Sequence, residues 1–104
     1  KLLFDDEKSI VNLETPNGNK LVLSDDEGAI LLEDENRNII KMSSDGISIE
    51  SASGINIKAS TDITIEGVNV NVKASAQLKA EGGAGAELSS SGIAKVSGSI
   101  VQIN

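Results

Sequence analysis

The chain has 104 residues, enough for one domain, and a net charge of −7 from 9 Lys and Arg against 16 Asp and Glu. It contains no His, Cys, Trp or Tyr, and its single aromatic residue is Phe4. An acidic surface repels nucleic acid and anionic lipid, and the missing His and Cys exclude the usual catalytic triads and zinc sites. Because aromatic side chains supply much of the buried area of most cores, this composition favours a repeat architecture or an oligomer.

The first half, residues 1–44, contains apolar residues separated by one other residue, the period of a strand with one buried face. The first members of these triplets are 9, 10, 9 and 10 residues apart, and turn-forming residues lie between them. The triplets are Leu2-x-Phe4, Val11-x-Leu13, Leu21-x-Leu23, Ile30-x-Leu32 and Ile40-x-Met42. This spacing fits either hairpins of an antiparallel sheet or wide corners of a longer repeat structure.

The second half, residues 45–104, repeats the triplet at intervals of 8, 8, 7, 8, 8, 8 and 7 residues. The middle residue of every triplet is polar, so we expect it to face outward while its two neighbours face inward. The predicted core of this region is Ile47, Ile49, Ile55, Ile57, Ile63, Ile65, Val70, Val72, Leu78, Ala80, Ala86, Leu88, Ala94 and Val96. Val101-x-Ile103 is the last triplet, and Gly, Asp or Asn before several triplets indicates a corner with unusual φ values.

Charge alternates at the position after each triplet, through Glu50, Lys58, Glu66, Lys73 and Glu81. If octads stack as rungs, the alternation avoids like-charge neighbours and specifies register. We take the alternation as evidence for stacked rungs, and a solvated face with chance alternation is the alternative interpretation. Residues 73–91 are rich in Ala, Gly and Ser, which also fits a helix or a flexible linker, but the octad phase continues through them.

Eight residues supply one face of a closed core, whereas a single-chain solenoid usually uses about 20 or more per turn. Three intertwined chains supply three faces at each level and leave few free strand edges. The sequence therefore predicts an all-β fold, an intertwined homotrimeric triangular β-prism, or triple-stranded β-helix, with octad repeats. Its expected parts are a looser region, 1–44, and the regular octad region, 45–104.

The octads GISIESASGINIKASTDITIEG, the preceding segment TPNGNKLVLSDDEGAILLEDENRNIIKMSSDG and the ending GSIVQIN resemble the C-terminal spikes of VgrG-like proteins and the central spikes of contractile phage tails. The resemblance implies a trimeric, membrane-puncturing spike of a contractile injection system, such as type VI secretion or a phage-tail-like particle. It implies assembly in the bacterial cytoplasm, delivery outside the cell and transient contact with a target membrane.

The resemblance also implies partners. A PAAR-repeat tip protein is expected on the C-terminal face formed by Val101, Gln102, Ile103 and Asn104, and the tail tube or hub is expected to join through upstream domains missing from this fragment. Some phage spikes carry a His-x-His iron site, which a chain without His cannot form.

No cofactor, metal or enzymatic activity is predicted. Asp5-Asp6 and Asp25-Asp26 are expected in solvated turns rather than as a glycosidase pair, and the segment after Ser24 lacks the ligand pattern of a calcium loop. Two alternatives remain open: a β-helical adhesin or glycan-binding module, and an acidic polysaccharide lyase that uses carboxylates alone.

Overall fold

A computed structural model describes all 104 residues, and the chain is all-β without a helix. Six strands form one antiparallel sheet in the order of the sequence. They are β1 (Leu2–Asp5), β2 (Ile10–Glu14), β3 (Lys20–Ser24), β4 (Ala29–Glu33), β5 (Ile39–Ser43) and β6 (Gly46–Glu50). Of the two alternatives for the first half, the structure contains the hairpins. No segment forms the long apolar helix that a membrane crossing requires.

The chain divides into two units, Lys1–Ile63 and Thr64–Asn104, and the first contains the whole sheet. The sheet continues past residue 44, because β6 pairs with β5 through Met42↔Ile47 and Ile40↔Ile49. The first octad triplet therefore lies in the last strand of the sheet. The strands are rich in Leu, Ile and Val, which suit a pleated, half-buried surface.

The turns at one end of the sheet, residues 15–19 and 34–38, share one hydrogen-bonding pattern. In the first, Thr15 Oγ1 accepts hydrogen bonds from the backbone N–H and the side-chain Nδ2 of Asn19, both at 3.2 Å. In the second, Asp34 Oδ1 accepts from the Asn38 backbone N–H at 2.9 Å and Oδ2 from its Nδ2 at 2.8 Å. Each side chain thus closes its own turn.

The opposite end of the sheet is closed by side chains that accept from the backbone of the following turn. Asp5 Oδ1 accepts from Glu7 N–H at 3.1 Å, Ser24 Oγ from Glu27 N–H at 3.1 Å, and Ser43 Oγ from Asp45 N–H at 3.2 Å. These local bonds satisfy backbone donors that the strand ladder leaves free, so the chain reverses direction at each turn.

Residues 51–104 contain no strand and no helix. Their backbone runs in extended segments interrupted by paired bends at residues 52–53, 60–61, 68–69, 75–76, 83–84, 91–92 and 99–100. Each pair begins five residues after the first apolar residue of a triplet, so the bends separate one triplet from the next. No helix forms over residues 73–91.

The expectation of unusual φ values before the triplets is confirmed at Gly46, whose φ is 114°, and is wrong for the corners of residues 51–104. The residues with positive φ are Ser9, Gly18, Gly28, Arg37 and Gly46, all in or beside hairpin turns, and none lies in residues 51–104. The bends also include the residue before the triplet at only two of the predicted corners, Asn69 and Ile100. A bend redirects the chain without reversing it, so left-handed backbone is not needed there.

Candidate functional site

One face of the sheet is a continuous apolar surface. Cross-strand pairing sets every triplet residue of β1–β6 opposite another one, in two rows that run across all six strands. We call these twelve residues the apolar face. Its rows are Leu2, Leu13, Leu21, Leu32, Ile40 and Ile49, and Phe4, Val11, Leu23, Ile30, Met42 and Ile47.

The apolar face has no cover within the unit that contains it, Lys1–Ile63. No apolar side chain anywhere in the protomer is buried, and the only buried residue is Ser24, at 6% exposure. In the apolar face Ile47 is 72% exposed and Phe4 63% exposed. An open groove of about 710 Å³ lies along one row and extends to Ile55. Contiguous exposed apolar surface of this kind marks an interface in a soluble protein.

The opposite face of the sheet carries charged side chains as well as apolar ones. Lys20 stands across from Glu14 and Glu33, and its Nζ lies 3.6 Å from Glu33 Oε2. Lys41 and Ser48 extend another row of this face beside Val22 and Leu31. Alternation along the strands therefore separates an apolar side from a mixed, charged side, as in a sheet with one face in a core.

The predicted core residues of the octads are also exposed in the protomer. The exposed fraction is 51% for Ile55 and Ile63, and 74% for Ile57 and Ile65. The large apolar members farther along the chain are exposed as well, namely Val70, Val72, Leu78, Leu88 and Val96, and Ala80, Ala86 and Ala94 are exposed with them. One chain does not bring these residues together into a core.

The backbone of residues 51–104 also lacks backbone partners within the chain. All backbone–backbone hydrogen bonds lie in the sheet ladder or the turns of the first 50 residues, and residues 51–104 make none. Folded proteins satisfy nearly all buried backbone donors and acceptors and average about one internal hydrogen bond per residue. Apart from the N–H groups of Ser53 and Gly92, which donate to the hydroxyls of Ser51 and Ser90, the backbone groups of residues 51–104 are free.

The accessible surface area shows how much more surface one chain exposes than a folded monomer of the same mass. One chain of 10.7 kDa exposes 10,022 Å². A folded monomer of this mass is expected to expose about 5,500 Å². The excess of about 4,500 Å² per chain is in the range that permanent oligomers bury.

The electrostatics are those of solvated turns. Asp34 accepts backbone hydrogen bonds from Asn38 and Asn36, each at 2.9 Å, and these bonds, with the Asn38 contribution the largest, hold the pKa of its carboxyl below the ordinary 3.8. Hydrogen bonds that favour the ionised form lower a pKa in this way. No group of carboxylates is arranged to hold a metal ion.

The sequence of residues 10–76, more than half of the chain, matches the family model of the phage baseplate V C-terminal trimerisation domain. The chain belongs to this family. The predicted resemblance to VgrG-like and phage-tail spikes is thereby confirmed. No curated protein matches the chain.

For a trimerisation domain, the uncovered apolar face and the unpaired octad backbone are what the protomer is expected to present before assembly. The matched residues include β2 to β6 and the octads as far as Ala76. Membership supports a homotrimer and a structural role in the spike of a phage-tail-like particle.

The trimerisation domain also contains interface candidates that the predicted core of the octads did not include. The apolar face adds ten residues of β1–β5, which follow the same triplet rule and are recognisable by it.

The hydrogen bonds between neighbouring turns were also not predicted from the sequence. Asn19 Oδ1 accepts from Glu35 N–H at 3.0 Å, and Ser51 Oγ donates to Asn38 Oδ1 at 2.6 Å. The signal for these links is the recurrence of Asn at the end of both five-residue turns.

Proposed function

We propose that this trimerisation domain is the β-prism of a membrane-puncturing spike in a contractile injection apparatus, and that it transmits axial force when the apparatus contracts. The observation that carries the proposal is an extensive apolar surface, on the sheet and in the octads, that no part of the chain covers. Membership in a family of baseplate trimerisation domains supports three identical chains as the cover.

In the proposed trimer, the three apolar faces turn toward a common axis and exclude water from one another. The groove along Leu13, Leu21, Leu32, Ile40 and Ile49 then receives side chains of a second chain. Burial of this kind stabilises by about 25 cal/mol per Å² of apolar surface, which makes it the main attraction between the chains.

In the octads, the proposed triangular prism takes one strand per octad from each chain. The regular bends between triplets support this arrangement, because each bend directs the chain onto the next face. Free N–H and C=O groups in residues 51–104 then pair with strands of the other chains. The core residues from Ile47 to Val96 fill the centre, and intertwining leaves few open edges.

Such a trimer suits a mechanical role. Separation of intertwined chains requires many strand pairs to break together, so unfolding is expected to be slow. Force along the prism is distributed over repeated hydrogen bonds and apolar contacts. The role needs no catalytic group and no cofactor.

The C-terminal residues are the proposed seat of a tip protein. Val101 is 52% and Ile103 90% exposed, so the chain ends in apolar side chains next to Gln102 and Asn104. A conical PAAR-repeat protein on this face would sharpen the spike, and domains upstream would join it to the tail tube or hub. The particle would assemble in the bacterial cytoplasm, leave the cell and contact the target membrane transiently.

The test is the mass of the protein at micromolar concentration by multi-angle light scattering. We expect three times the 10.7 kDa of one chain. A monomer contradicts the proposal, and a monomer that binds glycans would favour the adhesin alternative. For the tip, a purified PAAR-repeat protein is expected to bind the trimer and to lose affinity for an Ile103→Asp trimer.

A further inference from the structure

Charged residues in the octads are ordered to an unusual degree. Residues 46–104 contain nine charged side chains, and eight of them occupy two positions relative to the triplets. The first charge column, the residue after each triplet, is Glu50, Lys58, Glu66, Lys73 and Glu81. The second charge column, the middle residue of later triplets, is Lys79, Glu87 and Lys95. The sign alternates from octad to octad in both columns.

The two columns meet in one octad. Lys79 and Glu81 belong to the same triplet region, and Lys79 Nζ lies 3.2 Å from Glu81 Oε2. The first column ends there and the second begins there. Each of the six steps from the octad of Glu50 to the octad of Lys95 therefore joins one pair of opposite charges, in one column or the other.

Within one chain these opposite charges do not meet. The structure has only two ion pairs, Lys20–Glu33 in the sheet and Lys79–Glu81 inside a single octad. No column residue pairs with the column residue of the next octad, and all eight are exposed. The alternation thus has no use in the protomer, while the bends place the columns at the same phase of every octad.

We infer that the two charge columns form a ladder of ion pairs between copies of this chain and fix their stagger at one octad. The inference rests on the proposed trimer. Neighbouring rungs of a β-structure lie about 4.8 Å apart, close enough for long charged side chains at equivalent positions to pair. When octad n of one chain lies beside octad n+1 of the next, every one of the six steps is attractive.

If one chain shifts by one octad relative to its neighbour, the attractive ion pairs are replaced by pairs of like charge. Octads of the same number, or of numbers differing by two, then lie side by side, and like charges meet along the columns. In the first three octads the apolar core offers little discrimination against this shift, because Ile47, Ile55 and Ile63 are identical at their equivalent positions. The partner that the columns select is therefore a second copy of this chain at one register.

The first experiment compares Glu66→Lys with Asp62→Lys. Both raise the net charge by the same amount, but Asp62 is the one charged residue of residues 46–104 outside the columns. Glu66→Lys sets like charges against Lys58 and Lys73 in every chain. We expect its trimer to melt on the order of 5 °C below that of Asp62→Lys in low salt. The difference is expected to vanish in about 1 M NaCl, where the screening length falls to about 3 Å.

The second experiment inverts the ladder without change in net charge, because the columns contain four acidic and four basic residues. The inverted chain carries Glu50→Lys, Lys58→Glu, Glu66→Lys, Lys73→Glu, Lys79→Glu, Glu81→Lys, Glu87→Lys and Lys95→Glu. We expect it to trimerise as the wild type does. After co-refolding of the two chains, native mass spectrometry is expected to find homotrimers in excess of mixed ones.

Three results would overturn the inference while the wild type remains trimeric: equal melting of Glu66→Lys and Asp62→Lys in low salt, an inverted chain that does not trimerise, or a binomial distribution of mixed trimers. A monomeric wild type by light scattering would instead refute the proposed function on which the inference rests.

Discussion

The sheet and the octads use the same apolar-x-apolar triplet and reach different structures. In residues 2–50 each strand pairs with the next one in sequence, so the backbone finds its partners inside the chain. In residues 51–104 no backbone partner is found within the chain. Nevertheless, no apolar side chain of either region is buried in one protomer. The sheet thus needs other chains for its core, whereas the octads need them for core and hydrogen bonds alike.

The difference comes from what lies between the triplets. Every connection of the sheet has a residue with positive φ, which lets the chain reverse. Residues 51–104 contain seven of the ten glycines, and none of these has positive φ. A chain that bends without reversing does not return beside its own previous strand. Turn conformation, rather than the apolar pattern, therefore decides whether a segment pairs with the next segment of its own chain.

The largest effect is expected from a charge in the core of the octads. Ile55→Asp places a carboxylate at the proposed axis once per chain, and burial of an unpaired charge costs several kcal/mol. We expect the trimer to be lost, as measured by light scattering. Asn56→Asp adds the same charge one residue away and is expected to leave the trimer intact. Equal effects of the two would contradict the inward and outward assignment.

A smaller effect distinguishes the two faces of the sheet. In the protomer Leu32 is 50% exposed, whereas its neighbour Leu31 on the opposite face is less exposed. If the apolar face lies inside a trimer, Leu32→Ala is expected to cost about 2–5 kcal/mol per chain and Leu31→Ala about 1 kcal/mol in urea unfolding. If the sheet is stable as a single chain, the order of the two variants is reversed.

The smallest effect concerns the turns that end the sheet strands. Because the pKa of Asp34 is lowered in the folded chain, the ionised carboxylate stabilises the folded turn at pH values above the ordinary pKa of 3.8. This contribution is lost as the pH falls through the lowered pKa of the folded state. Asp34→Asn is therefore expected to lower the melting temperature at pH 7 and to match the wild type well below pH 3.8.

Thr15 provides the control for this pH dependence, because it occupies the same place in the other five-residue turn without a charge. Thr15→Val removes the hydroxyl acceptor of Asn19, and its effect on melting is expected to be the same at both pH values. An Asp34→Asn deficit that persists at low pH would mean that shape, not ionisation, determines the contribution of this side chain.

By itself, the sequence determined which residues are apolar partners. The period of two marks the apolar members of every triplet, and the interval of eight marks their repetition, because exposure of large apolar groups is unfavourable in any fold. The composition, with Phe4 as the single aromatic residue, also favoured an oligomer over a monomeric core.

Only the tertiary structure decided how the triplets are connected. Ser9 and Arg37 adopt positive φ without being glycine, and the seven glycines of residues 51–104 do not adopt it, so residue type does not fix which connection reverses. Reversal depends on the strand ladder on both sides of a turn and on bonds such as those of Asp34 and Asn38. Because these interactions form together, no single residue marks where the sheet ends. The last strand ends at Glu50, after the first octad triplet.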